Sequence, residues 1–317
     1  MATILVTGIA GFIGSTTAHL LADRGDTVIG VDNFNPYYDP KLKRDRAKRL
    51  EGKAKIYECD IIDLPGLRKV FSQHKVDKVL HLAAQAGVRY SIENPFAYEQ
   101  ANNLGTLNML EICRELGVKT FVFASSSSVY GGNTKTPFSV NDPVDHPISL
   151  YAATKKYNEL IAHVYHHLFG MNCTGLRFFT VYGPWGRPDM ALFKFTDATI
   201  KGQPIDVYNH GKMKRDFTFV TDIAAGIIAS LDKSYPYEIF NLGNSSTVDL
   251  TYYIECIEKE LGKKAIKNML PMQPGDVPAT MADIEKSKRM LGFDPKVKVE
   301  QGIKEFVQWY RDYFKTA

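Results

Sequence analysis

Tyr151 and Lys155 stand four residues apart in the segment SLYAATKK (149–156). Residues at that spacing share one face of a helix, a turn apart, so a phenol and an ammonium project side by side. A free phenol, with a pKa of about 10, is a poor base at neutral pH. A neighbouring ammonium favours the phenolate, and the charge of an oxidised nicotinamide would add to that pull. Such a pair can take the proton of a hydroxyl while hydride leaves the same carbon. The run Ser125-Ser126-Ser127-Ser128 supplies hydroxyls for the same proton network, at the end of an expected strand, Thr120 to Ala124. Each motif alone is common, one as a helix face and the other as a polar loop. In this order behind a dinucleotide fingerprint, they point to dehydrogenase-type chemistry.

The fingerprint is Thr7-Gly8-Ile9-Ala10-Gly11-Phe12-Ile13-Gly14, between an expected strand and a helix. Glycines let the backbone turn tightly and approach a pyrophosphate, and the helix N-terminus offers free N–H groups. The spacing is GxxGxxG rather than GxGxxG. Asp32 ends the second strand 18 residues after Gly14, close to the roughly 20 expected for an acid on the adenosine ribose. A carboxylate there holds ribose hydroxyls and repels a 2′-phosphate, which favours NAD over NADP. Asp60-Ile61 after the third strand and Leu82-Ala83-Ala84 after the fourth fit the same site, Asp60 facing adenine and the small residues lying beside the cofactor. Phe12, Ile13, Asn33, Phe178 and Val181 complete the candidate cofactor contacts.

To position these residues the chain needs a sheet. Its first half alternates β-branched runs (3–7, 27–31, 55–58, 78–81, 120–124) with helix-length segments (12–24, 64–74, 95–116). That alternation predicts a Rossmann-type, doubly wound parallel sheet with helices on both faces. A helix over 151–169 stopped by Gly170, and a sixth strand over 173–178, continue it. Segments near 217–245 are expected to return to the sheet; the rest of 179–317, rich in prolines, reads as a smaller C-terminal substrate-binding region across a cleft.

The 317 residues are 44% hydrophobic and 23% charged with a net charge of +4, the profile of an ordinary globular protein. The densest basic run, Lys41 to Arg49, reads as a solvated helix face rather than a nucleic-acid patch, having no interleaved aromatics. The four cysteines, far apart and without CxxC pairs, suggest a reducing compartment and a cytoplasmic protein. No metal site is expected, since His166 and His167 are consecutive, and no apolar run approaches a membrane span.

The motifs TGIAGFIG, HLAAQAG, SSSSVYG, YAATK and RDFTFV, in this order, resemble the extended short-chain dehydrogenase/reductase family over essentially the whole chain. The resemblance implies Tyr151 as base, Lys155 as its partner and ribose contact, Ser126 as the catalytic hydroxyl and Asn102 as the cofactor-proximal asparagine. Longer strings, DNFNPYYDPKLKR (32–44), QAGVRYSIENP (85–95), RFFTVYGPWGRPDMA (177–191) and MQPGDVPAT (272–280), are similar to one branch, the UDP-glucuronate 4-epimerases. Thr221 departs from the usual Asp, and Gln273 stands where hexose epimerases carry Arg. Sister dehydratases and decarboxylases place an acid after the catalytic hydroxyl, where this chain has Ser127 and Ser128.

That branch implies oxidation at sugar C4 by tightly bound NAD, rotation of the 4-keto sugar, and re-reduction on its other face. The ketone makes a β-keto acid, so the carboxylate must be held away from the alignment that releases CO2. Neutral hydroxyls of Ser127, Ser128 and Thr180 are the expected holders. Arg89, Arg187 and Arg215 are candidates for diphosphate or carboxylate, and Asp276 for ribose or uracil. Alternatives are a 4-epimerase of UDP-glucose or UDP-N-acetylglucosamine, a decarboxylase, or a non-catalytic NAD-binding regulator. The family also implies a homodimer through 95–116 and 151–169.

Overall fold

The computed structural model describes residues 1–273 and 275–316. Strands β1 (Thr3–Thr7), β2 (Thr27–Asp32), β3 (Ala54–Glu58), β4 (Lys78–His81), β5 (Thr120–Ser126) and β6 (Asn172–Phe178) fall where the apolar runs predict them. With Tyr237–Leu242 they form a seven-stranded parallel sheet in which that late strand borders β6, followed by β5, β4, β1, β2 and β3. The chain winds outward from β1 in both directions. The switch point between β1 and β4 opens a crevice at the carboxyl ends of the strands, where a doubly wound sheet binds ligands.

The sheet is buried on both faces because its strands carry apolar residues on both. Ile4 and Val6 point into a cluster with α1 (Phe12–Asp23), while Leu5 between them points to the opposite cluster. The second face is covered by α3 (Leu64–Phe71), by α6 (Gly105–Leu116) and by α7 (Leu150–Phe169), and α2 (Pro40–Lys48) follows β2. The expected helix over 95–116 is divided. Tyr90–Glu93 (α4) and Pro95–Tyr98 (α5) are short turns, and Glu99–Leu104 is a π-helical turn leading into α6. Ser149 starts α7 by accepting a hydrogen bond from the Ala152 amide at 3.1 Å, and Gly170, with φ of +62°, ends it.

β7 (Thr180–Tyr182), β8 (Pro204–Val207), β9 (Lys214–Arg215) and β10 (Phe217–Phe219) lie outside the main sheet. β7 pairs with β10, β9 with Val248–Asp249, and β8 with Ile266–Met269. With α8 (Ala191–Ile200) they surround a third cluster of Tyr182, Phe193, Phe217, Tyr253 and Phe306. The helix Val220–Lys233 returns to pack on α1.

The basic run corrects one expectation. Leu42, Lys43 and Arg46 form the inward stripe of α2, with Arg46 fully buried. Its guanidinium donates to the carbonyls of Trp185 (2.6 Å), Gly186 (3.1 Å) and Ala10 (3.3 Å) and to the Tyr38 hydroxyl (2.6 Å). Only Lys41, Arg44, Lys48 and Arg49 form the expected solvated face. Arg46 therefore ties the glycine loop to the 183–190 loop across the cleft.

Candidate active site

One cleft of about 1170 Å³ runs along the carboxyl ends of the strands. It is larger than the roughly 300–1,000 Å³ of a single drug-sized ligand, which suits a dinucleotide meeting a nucleotide sugar. Its lining includes each candidate site residue except Asn102.

The cofactor end is shaped by close backbone approach. Gly8, with φ of +69°, leaves no room for a side chain, since a Cβ there would lie 2.8 Å from the Ala83 nitrogen. A Cβ on Gly14 would lie 2.1 Å from the Gly8 carbonyl, so α1 begins directly against the loop with its N–H groups turned to the cleft. Asp32 is buried and accepts from the amides of Ala10 (3.0 Å) and Phe34 (2.9 Å). Burial raises its pKa, while these amides and the charges of Lys43 and Arg46 act against that. Asn33 donates to Asp60 at 2.8 Å, joining the two acids expected around adenosine. Glycine cradle, ribose acid and adenine acid thus fit NAD in one continuous wall.

The reacting end combines β5, β6 and α7. Ser126 and Phe178 are register partners at the strand ends. The Ser126 oxygen accepts from the Ser128 amide (3.2 Å) and hydroxyl (2.9 Å). Tyr151 lies in the first turn of α7, edge-on to Tyr98 at 6.1 Å. Lys155 is buried and donates to the Ala124 carbonyl at 2.9 Å, its nitrogen 6.0 Å from the Tyr151 ring centre. Burial pushes the Lys155 ammonium down to about 8. Burial also raises the Tyr151 phenol, opposed by a hydrogen bond with Ser126 and the charge of Arg187. Lys155, the cation the sequence pointed to, thus stands beside the Tyr151 ring, and the Arg187 charge also favours the phenolate.

Asn102 stands behind the wall, within the π-helical turn. Its side-chain amide donates to the Gln85 carbonyl (3.1 Å) and Thr154 hydroxyl (3.0 Å), and its backbone carbonyl accepts from Thr106 (2.6 Å) and Asn158 (2.8 Å). It fastens the 85–89 loop to α7. Buried His81 bridges Thr7 and Thr106, and burial lowers its pKa to about 3, so it remains neutral.

At the far end Arg89 pairs with Asp276 at 2.9 Å and stacks on Tyr208, and Arg215 feels the charges of both. Thr180, Ser127, Ser128 and Arg187 line the same cleft. Three contributors were not singled out from the sequence. Buried Asp216 accepts from the amides of Asn244 (2.6 Å), Ser245 (3.0 Å) and Ala282 (3.0 Å), fixing the segments beside Arg215. Glu159, on the buried face one turn beyond Lys155, forms a two-pronged pair with Arg177 at 2.8 Å and accepts from Ser125 at 2.6 Å. Asp189 accepts from Arg187 (3.0 Å) and from the Tyr37 hydroxyl (3.2 Å).

Fold, glycine cradle and the Ser–Tyr–Lys set define a class, and the comparisons agree. A family model described as GDP-mannose 4,6 dehydratase matches residues 5–306, and the chain belongs to this extended short-chain dehydrogenase/reductase family. Within it, the chain is 50% identical over 331 residues to UDP-glucuronate 4-epimerase 4 of Arabidopsis thaliana, covering 98% of this chain and 76% of that one. Protein CapI of Staphylococcus aureus is 50% identical over 332 residues, with 98% and 99% covered. A solved UDP-glucuronic acid 4-epimerase of Bacillus cereus, in complex with UDP-glucuronic acid and NAD, is 34% identical with a TM-score of 0.91, covering 98% of this chain and 99% of that one.

Proposed function

We infer that this chain is an NAD-dependent UDP-glucuronate 4-epimerase, interconverting UDP-glucuronate and UDP-galacturonate. The observation that carries the reading is the wall around Tyr151. Ser127, Ser128, Thr180 and Arg187 line the same cleft as Tyr151, and the loop after Ser126 has no carboxylate to abstract the C5 proton. Full-length similarity to UDP-glucuronate 4-epimerases supports it.

When bound, NAD supplies the hydride acceptor and donor. Gly8, Gly11, Phe12, Ile13, Gly14, Asp32, Asn33, Asp60, Ile61, Leu82, Ala83, Ala84, Phe178 and Val181 hold it, with Lys155 on the ribose and Asn102 acting through Gln85. Tyr151 takes the C4 hydroxyl proton, assisted by Ser126, and returns it to the C4 oxygen when, once the ketone has turned, hydride would be delivered to the opposite face of C4. Arg215, Arg89 and Asp276 hold the UDP end, which stays fixed while the sugar rotates. Ser127, Ser128 and Thr180 hold the carboxylate by neutral hydrogen bonds that do not force the C5–carboxyl bond parallel to the ketone π-system.

In this reading residues 1–178, with segments near 217–245, form the NAD-binding domain and 179–317 mainly the UDP-sugar region. The protein acts in the cytoplasm as a homodimer. Four free cysteines accord with a reducing compartment, and no helix among the described residues is long and apolar enough to cross a membrane.

The test is to give the purified protein UDP-glucuronate without added cofactor and follow products by proton NMR. UDP-galacturonate without CO2 or a pentose is expected. A pentose or a persistent 4-keto sugar would show that the Ser127-Ser128 loop has been misread, and inertness toward every UDP-sugar, with NAD added, would revive a non-catalytic role.

A further inference from the structure

Arg46, on the inward stripe of α2, is a fully buried cation that the chemistry at C4 leaves unused. Its guanidinium makes five hydrogen bonds, as many as it has N–H groups. Nε (3.0 Å) and Nη2 (2.6 Å) donate to the Trp185 carbonyl, and Nη2 also donates to the Gly186 carbonyl (3.1 Å). Nη1 donates to the Ala10 carbonyl (3.3 Å) and the Tyr38 hydroxyl (2.6 Å). Every one of these acceptors is neutral. A buried charge is costly even when its hydrogen bonds are made, and an apolar side chain would fill the same space at less cost. What Arg46 joins therefore explains its place better than packing does.

The acceptors belong to two walls of the cleft. Ala10 lies in the glycine loop, whose Gly8, Gly11 and Gly14 line the cofactor end. Ala10 gives its N–H to Asp32 at 3.0 Å and its carbonyl to Arg46, so the ribose acid and the guanidinium hold the loop from two sides. Trp185 and Gly186 lie on the loop between β7 and α8, whose Arg187 and Met190 line the same cleft. That loop does not rest there by propensity. Trp185 has a φ of +63°, a left-handed conformation that a bulky side chain keeps only where its surroundings enforce it. Its ring packs on Trp309 (5.3 Å) and Tyr313 (5.1 Å) of the helix Val299–Phe314, while its carbonyl is fixed by Arg46. One guanidinium thus spans from the cofactor cradle to the loop that closes the other side.

The reaction makes that span matter. In the first half C4 gives a hydride to NAD and becomes a ketone; in the second the same hydride returns to the other face of C4. A reduced cofactor that left between the halves would strand the ketone and leave the protein without an oxidant for the next sugar. A cofactor seated on the glycine loop is released when that loop and the one facing it move apart. We propose that Arg46 is a positioning residue for the cofactor, fastening the glycine loop to the loop leaving β7 so that NAD stays in the cleft through both halves of the reaction. The proposal rests on the NAD-dependent reading of the site and not on which sugar is turned over.

The experiment compares the wild-type protein with Arg46→Lys, which keeps the charge but has a single nitrogen and cannot hold both loops as a planar fork does. Two quantities are read on folded protein well below both Tm values. One is NAD bound per chain after desalting; the other is the rate at which bound NAD exchanges with excess isotope-labelled NAD. Arg46→Lys is expected to hold less NAD and to exchange it about tenfold faster or more, the ratio carried by one charge-assisted hydrogen bond. Its turnover should fade without added cofactor and return when NAD is supplied. A lower Tm with unchanged NAD content and exchange would make Arg46 a mere strut and overturn the proposal. Glu258→Gln unpicks a buried carboxylate from Lys264 and Lys267 in the C-terminal region and so weakens the fold elsewhere. It is expected to keep its NAD; exchange as fast as in Arg46→Lys would show that stability alone governs retention, against the proposal. Should Arg46→Lys fail to fold, Tyr38→Phe removes one acceptor and leaves the fork on both loops. A smaller rise in exchange is then expected, and an unchanged rate overturns the proposal. Wild-type protein inert toward UDP-glucuronate would sink the substrate reading instead, and NAD exchange would still test Arg46.

Discussion

The chemistry rests on a phenol that the protein makes harder to ionise. Burial raises Tyr151, and Ser126 and Arg187 pull it back. Ser126→Ala removes a hydrogen bond to the ionised form, so the phenol pKa rises and the acid limb of kcat/KM moves to higher pH. With the loss of a positioned hydroxyl, kcat falls by about 10²-fold or more. A rate series across pH on both proteins checks this; an equal loss at every pH would mean Ser126 only shapes the pocket. Tyr151→Phe removes the base and is expected to abolish turnover while UDP-glucuronate still binds, as calorimetry would show. Ser128→Glu puts an acid where the decarboxylating relatives carry one, and either CO2 loss or inactivity follows; unchanged clean epimerisation would remove the Ser127-Ser128 loop from the account of selectivity.

The elements hold those side chains through a buried ion pair. Ser125 and Arg177 are register partners one step before Ser126 and Phe178, and Glu159 on α7 reaches both. Burial works against the Arg177 charge, yet the Glu159 carboxylate holds that guanidinium above its usual range. Glu159→Gln leaves a cation 3% exposed without its counter-charge, a loss on the order of 3–5 kcal/mol in urea unfolding, whereas replacing both partners by Met costs far less. Equal losses in the single and double variants would show that packing, not charge, is at stake. This pair also marks where the sequence stopped speaking. Tyr151, Lys155, Ser126 and the glycines were legible because each motif is local, its meaning set by helix or loop spacing. The strands were legible because both of their faces are apolar. Glu159 and Arg177 were not, because a buried charge looks like any surface charge until its partner, 18 residues on, folds beside it. Arg46 was misjudged for the same reason, and the π-helical turn at Asn102 leaves the helical apolar pattern almost unbroken.

At the scale of the whole molecule, the long helix α7 has one face too many. Ala162 and Tyr165 are buried in the sheet cluster. Leu160, Val164 and Leu168 are instead 55%, 46% and 61% exposed. Leu104, just before α6, adds another exposed apolar side chain on the helix beside α7. Scattered apolar residues need no explanation, but three at i, i+4 and i+8 make a continuous ridge, the kind of surface that marks an interaction site. A second copy turning the same ridge over would bury it in a two-fold interface, since one self-complementary patch suffices for such a dimer. Light scattering on the wild-type protein is therefore expected to give twice the chain mass of 35.6 kDa. The triple variant Leu160→Lys, Val164→Glu, Leu168→Lys is expected to give a single chain mass, a lower Tm and retained NAD binding. A wild-type monomer would remove the dimer from the proposal and leave the chemistry of Ser126, Tyr151 and Lys155, which share one cleft of one chain, as it stands.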